Sequence, residues 1–280
     1  MQGSSASRAF GPTQVEVPII GQGTWKMGVA SLRKSEIAAV RRGIELGMRH
    51  IDTAEMYGNG AAEELIAEAI ADVPRESLFL VSKVLPQNAT YRGTLAACEA
   101  SLRRLKVDYL DVYLLHWRGR HPLAETLRAL EELVDTGKIR ALGVSNFDAA
   151  DLREACGLVQ RHRVVCNQVL YHLDERGPER ELLQVCLEND VALVGYSPFG
   201  TQGFPGPESA RGRALAAVAA RHGRTVTPHQ VALAFLVRRA PLFAIPKAST
   251  LAHVEDNAAA AGLALSEEDV QAIDAAFPPD

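Results

Sequence analysis

The sequence predicts a single (β/α)₈ barrel, and three observations support this fold class. Eight short runs rich in Val, Ile and Leu recur along the 280 residues. Most of the intervals between them carry apolar residues at i, i+3, i+4 and i+7, which is the period of an amphipathic helix. Strands that alternate with helices of this length form parallel βαβ units, and eight such units close into a barrel.

The same alternation would also allow an open, doubly wound sheet. Such a sheet is expected to carry a G-x-G-x-x-G fingerprint after its first strand. The segments GQGTWKMG (21–28) and GNGAA (58–62) each have two glycines one residue apart but lack a third glycine at the required offset. No Pro-, Gly- or Ser-rich linker divides the chain either, so the sequence favours one closed barrel domain.

The predicted elements follow one another in order along the chain. The strands are predicted at 19–25, 49–54, 78–84, 109–117, 141–146, 164–169, 192–199 and 243–249. Helices are predicted at 35–47, 61–73, 92–105, 123–138, 211–222 and 227–239, with two short helical segments after the eighth strand. The Gly- and Pro-rich stretch that begins at Gly200 indicates an active-site loop or lid. The barrel is expected to span 15–280, with 1–14 as a flexible N-terminal tail.

Composition narrows the class of protein. Hydrophobic residues make up 47% of the chain, and the formal net charge is −4. Neither nucleic acid nor an anionic membrane is therefore expected as the main partner. No run approaches the ~18–20 apolar residues that span a bilayer, and the first residues lack the apolar core of a signal peptide. The four cysteines form no C-x-x-C pair, so reduced thiols and a cytoplasmic location are expected.

Polar and aromatic residues stand at the end of every predicted strand. In a (β/α)₈ barrel the carboxyl ends of the strands meet at one mouth, where active sites are built. Each residue alone has an ordinary structural role, such as a loop cap for Asp52, a solvent-reaching Lys83 or a core His116. Their convergence on one mouth predicts a functional site. In strand order the residues are Gly23, Thr24 and Trp25, Asp52, Lys83, His116, Ser145 and Asn146, Gln168, Tyr196 and Ser197, and Lys247 and Ser249.

Four of the side chains near this mouth predict carbonyl reduction without a metal. A phenol has a pKa of ~10, so Tyr57 needs a neighbouring cation, Lys83, to favour its ionised form. Asp52 would keep Lys83 charged, and a neutral His116 would donate an N–H to the substrate oxygen. The eight histidines offer no ligand spacing for a metal, and His116 with His121 is disfavoured as a metal pair because one ends a strand and the other lies in a loop.

The blocks GQGTW, HIDTAEMYGNG, SKV, YLLHW, GVSNF, NQVLYH, YSPFG and IPKAS…HVEDN resemble the signature blocks of the aldo-keto reductases, in family order, from about residue 15 onward. The resemblance implies a usually monomeric (β/α)₈ barrel that transfers a hydride between NADP(H) and an aldehyde or ketone. It also implies a catalytic tetrad of Asp52, Tyr57, Lys83 and His116. In this tetrad Tyr57 is the general acid for reduction and the base for alcohol oxidation.

The resemblance further implies where the cofactor binds. Gly23 and Thr24 belong to the implied cofactor set. Ser145, Asn146 and Gln168 resemble the group that holds the nicotinamide carboxamide, and Tyr196 resembles the aromatic residue that stacks on the nicotinamide ring. Ser197, Phe199 and Gly200 begin the loop that covers the pyrophosphate in the family.

At the adenine end the chain departs from the family pattern. Lys247 and Ser249 match residues that hold the 2′-phosphate of NADP(H), and Asp256 and Asn257 match the adenine-binding pair. His253 occupies a position where the family often has arginine. Arginine presents a planar, permanently charged guanidinium to a phosphate, whereas an imidazole is mostly neutral at pH 7. NADP(H) is the expected cofactor, with NAD(H) as a weaker or dual alternative.

The resemblance implies substrate contact for Trp25 and Trp117, together with Tyr57 and His116. The loop after Trp117 is brief and little chain follows the last strand, so an open, shallow site with broad specificity for small aldehydes, dicarbonyls and keto sugars is expected. Two other functions are compatible with these residues. Lys83 could form a Schiff base in a barrel lyase, or the chain could be a redox-sensing subunit that binds a nicotinamide cofactor with little turnover.

Overall fold

The computed structural model describes residues 6–279 and contains the predicted barrel. The strands are β1 (Ser7–Ala9), β2 (Glu16–Pro18), β3 (Gln22–Gly23), β4 (His50–Asp52), β5 (Phe79–Val84), β6 (Leu110–Leu115), β7 (Ile139–Ser145), β8 (Val164–Leu170), β9 (Ala192–Tyr196) and β10 (Leu242–Ile245). The helices are α1 (Arg33–Glu45), α2 (Ala61–Ala69), α3 (Tyr91–Leu105), α4 (Leu123–Asp135), α5 (Ala149–Leu158), α6 (Glu181–Asn189), α7 (Ala210–His222), α8 (Pro228–Leu236), α9 (Leu251–Ala259) and α10 (Glu267–Ala276).

Strands β3 to β10 form one parallel sheet in sequence order, which confirms the predicted fold class. Parallel bridges from Ile20 to Ala244 and from Gly23 to Lys247 join its two ends and close the barrel. The seam is tight at Gly23, because a Cβ added there would lie 2.6 Å from the carbonyl oxygen of Ile245. A glycine at this position is therefore required by the packing of the barrel itself.

The register of the strands places the candidate site residues on the inner face of the barrel. Asp52 pairs with Val81 across β4 and β5, and Lys83 follows two residues later on the same face of β5. Ser145 pairs with Gln168 across β7 and β8. The residues that the sequence placed at separate strand ends are thus neighbours around one mouth.

The N-terminal segment differs from the expected flexible tail. Residues 7–9 pair with 16–18 as an antiparallel ribbon, and residues 11–13 form a 3₁₀ turn. Phe10 is buried among the rings of His50, Phe79 and Phe243 at the amino ends of the barrel strands. The expectation was wrong for this part because one buried aromatic ring anchors a segment too short to show a periodic pattern. The expectation for residues 1–5 lies outside the described residues.

Helices surround the barrel, and several begin at a side-chain cap. Thr90, Asp148, Ser209, Thr227 and Thr250 each accept a backbone N–H from the first turn of the following helix, which satisfies a donor that has no partner within the helix. Within residues 6–279, no helix is long and apolar enough to cross a membrane. The cysteines are free thiols in the described chain, and three of the four are buried.

Candidate active site

Strand β4 ends at Asp52, and the chain then turns sharply back toward the barrel mouth. The turn contains three consecutive residues with positive φ: Gly58, Asn59 and Gly60 have φ values of +58°, +54° and +93°. Glycine tolerates this conformation, and asparagine does so more readily than most residues. The turn leaves Tyr57 with 8% of its surface exposed, and its ring lies over the barrel interior.

Lys83 connects two other members of the predicted tetrad, Asp52 and Tyr57. Its Nζ donates to Asp52 Oδ1 over 2.6 Å, to the carbonyl oxygen of Thr53 over 2.9 Å and to the Tyr57 hydroxyl over 3.1 Å. An ammonium has three N–H donors, so all three have acceptors. The second oxygen of Asp52, Oδ2, accepts Gln168 Nε2 over 2.7 Å. The side chain of Lys83 is fully buried, and these contacts hold it in one position.

The electrostatics of the buried pair favour a charged Lys83. Burial alone would lower the pKa of Lys83, but the carboxylate of Asp52 and the hydrogen bonds to Asp52 and Tyr57 outweigh it and raise that pKa. Burial raises the pKa of Asp52, and the charge and hydrogen bond of Lys83, with the hydrogen bond of Gln168, oppose that rise. We take the pair as ionised, because each charge has its partner at hydrogen-bond distance.

The direction of the Tyr57 pKa corrects the sequence argument. Lys83 was expected to favour the phenolate, and it does lower the pKa of Tyr57. Burial raises that pKa by more, so the net shift is upward. The Tyr57 hydroxyl therefore keeps its proton at neutral pH.

The surroundings of His116 favour the neutral imidazole. Burial, reinforced by the charge of Lys83, lowers its pKa to about 3. Its Nδ1 is buried without a hydrogen-bond partner among residues 6–279. Because a neutral imidazole carries its proton on one nitrogen, the tautomer with the proton on Nε2 places the donor on the other edge of the ring. The ring packs edge-on to Tyr57 at 5.8 Å and against Trp117 at 4.8 Å between centroids.

A cavity of about 570 Å³ opens at this mouth. Thirteen of the residues singled out from the sequence line it: Gly23, Thr24, Trp25, Asp52, Tyr57, His116, Trp117, Ser145, Asn146, Gln168, Tyr196, Ser197 and Lys247. Lys83 lies beneath its floor. Sequence reasoning missed Met56, Leu170, Thr201 and Ile245. Three of these four are apolar: Leu170 and Ile245 end strands, and Met56 precedes Tyr57 in the turn after β4. Residue type does not distinguish such apolar residues from core residues.

The amide and hydroxyl groups on one wall already form a network. Ser145 Oγ donates to the carbonyl oxygen of Gln168, and Asn146 Nδ2 donates to the carbonyl oxygen of His116. Tyr196 donates its hydroxyl to Asn146 Oδ1 over 2.9 Å. Because a carboxylate only accepts, Gln168 must present its NH₂ to Asp52, which leaves Oε1 as its remaining acceptor. The wall thus offers fixed polar groups beside the tetrad.

The other predicted cofactor residues lie outside the cavity lining. Ser249 contacts the ammonium of Lys247, and His253 is exposed on the first turn of α9. Asp256 accepts hydrogen bonds from Thr227 and Gln230 of the neighbouring helix region, so its carboxylate also fixes α9 against α8. Two further residues belong to this set: Asn257, which is buried, and Gly200, which has a φ of +86°.

Phe199 is the remaining predicted cofactor residue, and its ring contacts Phe204 and His229. The described residues contain no group of three or more His, Cys, Asp or Glu side chains arranged to hold a metal ion.

Comparison with known proteins gives concordant matches. The model of the aldo/keto reductase family matches residues 19–277. Methylglyoxal reductase YeaE of Escherichia coli (strain K12) is 46% identical over 265 residues, which cover 94% of this chain and 92% of that protein. Glyoxal reductase of Bacillus subtilis (strain 168) is 37% identical over 263 residues, covering 93% and 89%. The crystal structure of an aldo-keto reductase from Klebsiella pneumoniae in complex with NADPH has a TM-score of 0.91 at 43% identity, covering 99% of this chain and 96% of that chain.

Proposed function

The chain belongs to the aldo/keto reductase family, and on that premise we propose that it reduces small aldehydes and dicarbonyls with NADP(H), with Tyr57 as the proton donor. One observation carries the proposal. Lys83 Nζ lies 2.6 Å from Asp52 and 3.1 Å from the Tyr57 hydroxyl, and these two partners line the cavity. This arrangement stabilises negative charge on the phenol oxygen at the moment the proton leaves.

The groups around the cavity suit a nicotinamide dinucleotide. The amides and hydroxyl of Ser145, Asn146 and Gln168 are matched to a carboxamide, which both donates and accepts hydrogen bonds. The ring of Tyr196 suits stacking on a flat heterocycle. Lys247 is a cation at the edge of the same cavity and suits a phosphate. When bound, the cofactor supplies the hydride that reduces the carbonyl carbon.

At the adenine end the proposal extends beyond the cavity. Ser249 and His253 would face the 2′-phosphate together with Lys247, and Asp256 and Asn257 would face the adenine. Gly23, Thr24 and Ser197 line the cavity, and Phe199 and Gly200 belong to the loop beside it.

The protein's own groups then have distinct tasks. Tyr57 donates its proton to the carbonyl oxygen as negative charge develops there, and Lys83 stabilises the phenolate that remains. Asp52 keeps Lys83 charged and oriented. His116 donates an N–H to the same substrate oxygen and sets the angle at which the carbonyl meets Tyr57.

The proposed substrates are small and reactive. The methylglyoxal and glyoxal reductases among the relatives support dicarbonyls, and the open mouth supports a broad range. Trp25 is 49% exposed and Met56 is 36% exposed at the rim, so the walls near the entrance are apolar and accessible. We further propose that the protein acts as a monomer in the cytoplasm.

The two other functions considered from the sequence are less well supported. A Schiff base requires an uncharged lysine amine that is free to attack. Lys83 is instead held as an ammonium whose three N–H groups all donate hydrogen bonds. A redox-sensing subunit needs only cofactor binding and leaves the buried Asp52–Lys83–Tyr57 network without a purpose.

The decisive test is steady-state oxidation of NADPH, and separately of NADH, with methylglyoxal for wild type and Tyr57→Phe. We expect kcat of the variant to fall by ~10²–10⁴ while NADPH binding, followed by fluorescence, is unchanged. Tyr91→Phe is the matched control, because Tyr91 is a half-buried tyrosine at the start of α3 that contacts Glu132 and does not line the cavity. Wild type that binds NADPH and reduces no carbonyl compound would refute the reductase and favour the sensing subunit.

A further inference from the structure

The turn that carries Tyr57 lies between two glutamates, Glu55 and Glu63. Glu63 is fully buried in the first turn of α2, and Glu55 is half-buried in the segment after β4. A carboxylate is stable away from water only where hydrogen-bond donors or cations surround it. The partners of these two glutamates therefore show what the turn is fixed to.

Glu55 is bound to the chain just beyond β5. Its Oε1 accepts the backbone N–H of Leu85 over 2.7 Å and Asn88 Nδ2 over 3.0 Å. Leu85 directly follows the last residue of β5. One carboxylate oxygen therefore joins the residue two positions before Tyr57 to the end of the strand that carries Lys83.

Glu63 is bound to β5 itself. Ser82 Oγ donates to Glu63 Oε1 over 2.6 Å, and Ser82 precedes Lys83, whose side chain points to the opposite face of the strand. The other oxygen, Oε2, accepts Arg104 Nε of α3 over 2.6 Å. Arg104 also packs against the turn, because a Cβ added to Gly60 would lie 2.6 Å from Arg104 Cδ. The carboxylate of Glu63 thus joins α2, β5 and α3 next to the turn.

The two glutamates bind β5 on either side of Lys83, one residue before it and two residues after it. We propose that Glu55 and Glu63, which we call the carboxylate brace, are positioning residues that hold the turn against β5 and thereby set the 3.1 Å distance from the Tyr57 hydroxyl to Lys83 Nζ. Neither glutamate lines the cavity, so the brace acts through Tyr57. Its effect on the rate rests on the proposed function, in which Tyr57 gives its proton to the substrate.

The first experiment measures the single-turnover oxidation of enzyme-bound NADPH by methylglyoxal, so that product release does not affect the rate. Glu55→Ala removes one tie to β5, and Ser82→Ala removes the other while Glu63 keeps its ion pair with Arg104. Each variant should lower the rate by ~10–100-fold with NADPH affinity unchanged, because a displacement of about 1 Å at a reacting group can cost ~100-fold. Glu55→Gln keeps an acceptor oxygen and should restore the wild-type rate.

Glu68→Ala is the matched control for the loss of a carboxylate. Glu68 also lies on α2, but it binds Arg33 at the start of α1 instead of β5, so this variant should react at the wild-type rate. A Glu55→Gln variant as slow as Glu55→Ala would overturn the brace, because its acceptor oxygen would then be insufficient. A Glu68→Ala variant as slow as Glu55→Ala would overturn it as well, because the tie to β5 would not be the cause.

The second experiment needs neither cofactor nor carbonyl compound. Hydrogen–deuterium exchange, followed by NMR, reports directly on the Leu85 N–H, which should exchange faster in Glu55→Ala than in wild type or Glu55→Gln. The Tyr57 N–H closes the turn by donating to the carbonyl oxygen of Ala54, and it should exchange faster in both Glu55→Ala and Ser82→Ala. Unchanged exchange at these two amides would overturn the brace.

Together the two experiments separate the brace from the proposed function. Faster amide exchange with an unchanged single-turnover rate would overturn the role of the brace in proton transfer. A wild-type protein that binds NADPH and reduces no carbonyl compound would refute the proposed function, and with it the effect of the brace on the rate. Amide exchange would still decide whether Glu55 and Ser82 hold the turn against β5.

Discussion

Replacing Lys83 with methionine tests whether the buried ion pair holds the site together. The side chains of Lys83 and Asp52 are 0% and 1% exposed. Lys83→Met would leave Asp52 buried, with Gln168 Nε2 as its only side-chain donor among residues 6–279. Keeping a carboxyl of ordinary pKa ~3.9 protonated at pH 7 costs about 4 kcal/mol. That value agrees with the ~3–5 kcal/mol lost when one partner of a buried pair is removed, so the free energy of unfolding should fall by about 4 kcal/mol.

The double variant Asp52→Asn with Lys83→Met is the matched control, because it removes both charges. It should be at least ~2 kcal/mol more stable than Lys83→Met alone at pH 7. In Lys83→Met the folded-state pKa of Asp52 lies above its unfolded value. The folded protein then binds a proton that the unfolded chain does not, so its stability rises as pH falls toward ~4. The gap between the two variants should shrink by ~1.4 kcal/mol per pH unit.

Denaturant unfolding followed by circular dichroism at pH 7, 6 and 5 measures this gap. A gap below ~1 kcal/mol at pH 7, or one that does not change with pH, would refute the reasoning that Asp52 depends on Lys83 to remain ionised in the folded protein. Both variants should lack reductase activity, so stability and its pH dependence carry the test.

Two further predictions concern histidines on opposite sides of the barrel. His253→Arg should tighten NADPH binding about tenfold and leave NADH binding unchanged, because a permanent charge would meet the 2′-phosphate; equal effects on both cofactors in equilibrium titrations would contradict this. His50 has a pKa lowered to about 3 by burial and by the charge of Lys83, so it contributes stability above pH ~6.5 that is lost on acidification. Denaturant unfolding between pH 6 and 4 measures the free energy of unfolding of His50→Gln and of wild type. This free energy should fall with acidification by ~1.4 kcal/mol per pH unit less in His50→Gln than in wild type. Equal slopes in the two proteins would contradict a neutral His50 in the folded state.

The site was predictable from the sequence where its residues carry distinctive chemistry at strand ends. Asp52, Lys83 and Gln168 follow apolar runs, and barrel geometry then requires their convergence. The first strand was predicted at 19–25 but is only Gln22–Gly23, because the barrel seam is formed by isolated bridges. The seventh was predicted to reach residue 199 but ends at Tyr196, because Ser197 is left-handed with a φ of +51°.

Other features depend on three-dimensional packing that no local pattern encodes. His229 meets Phe204 across 25 residues of chain, and nothing in either segment marks the pair. The sign of the Tyr57 pKa shift depends on whether burial or the charge of Lys83 has the larger effect. The amino-acid composition cannot show which of these two effects is larger, because burial and the distance to Lys83 are both set by the same enclosed pocket.

The direction of the Tyr57 pKa shift bears on the protonation state from which the proposed reaction starts. In the proposed mechanism, reduction requires a protonated Tyr57, and burial keeps the proton in place at neutral pH. Alcohol oxidation requires the phenolate, which burial disfavours. Lys83 serves both directions by stabilising the phenolate once it forms, yet it does not create a resident phenolate in the cofactor-free protein. In the cofactor-free protein Tyr57 therefore rests in the protonated form that reduction requires, and the fixed ammonium of Lys83 can stabilise the negative charge that is left when the proton moves.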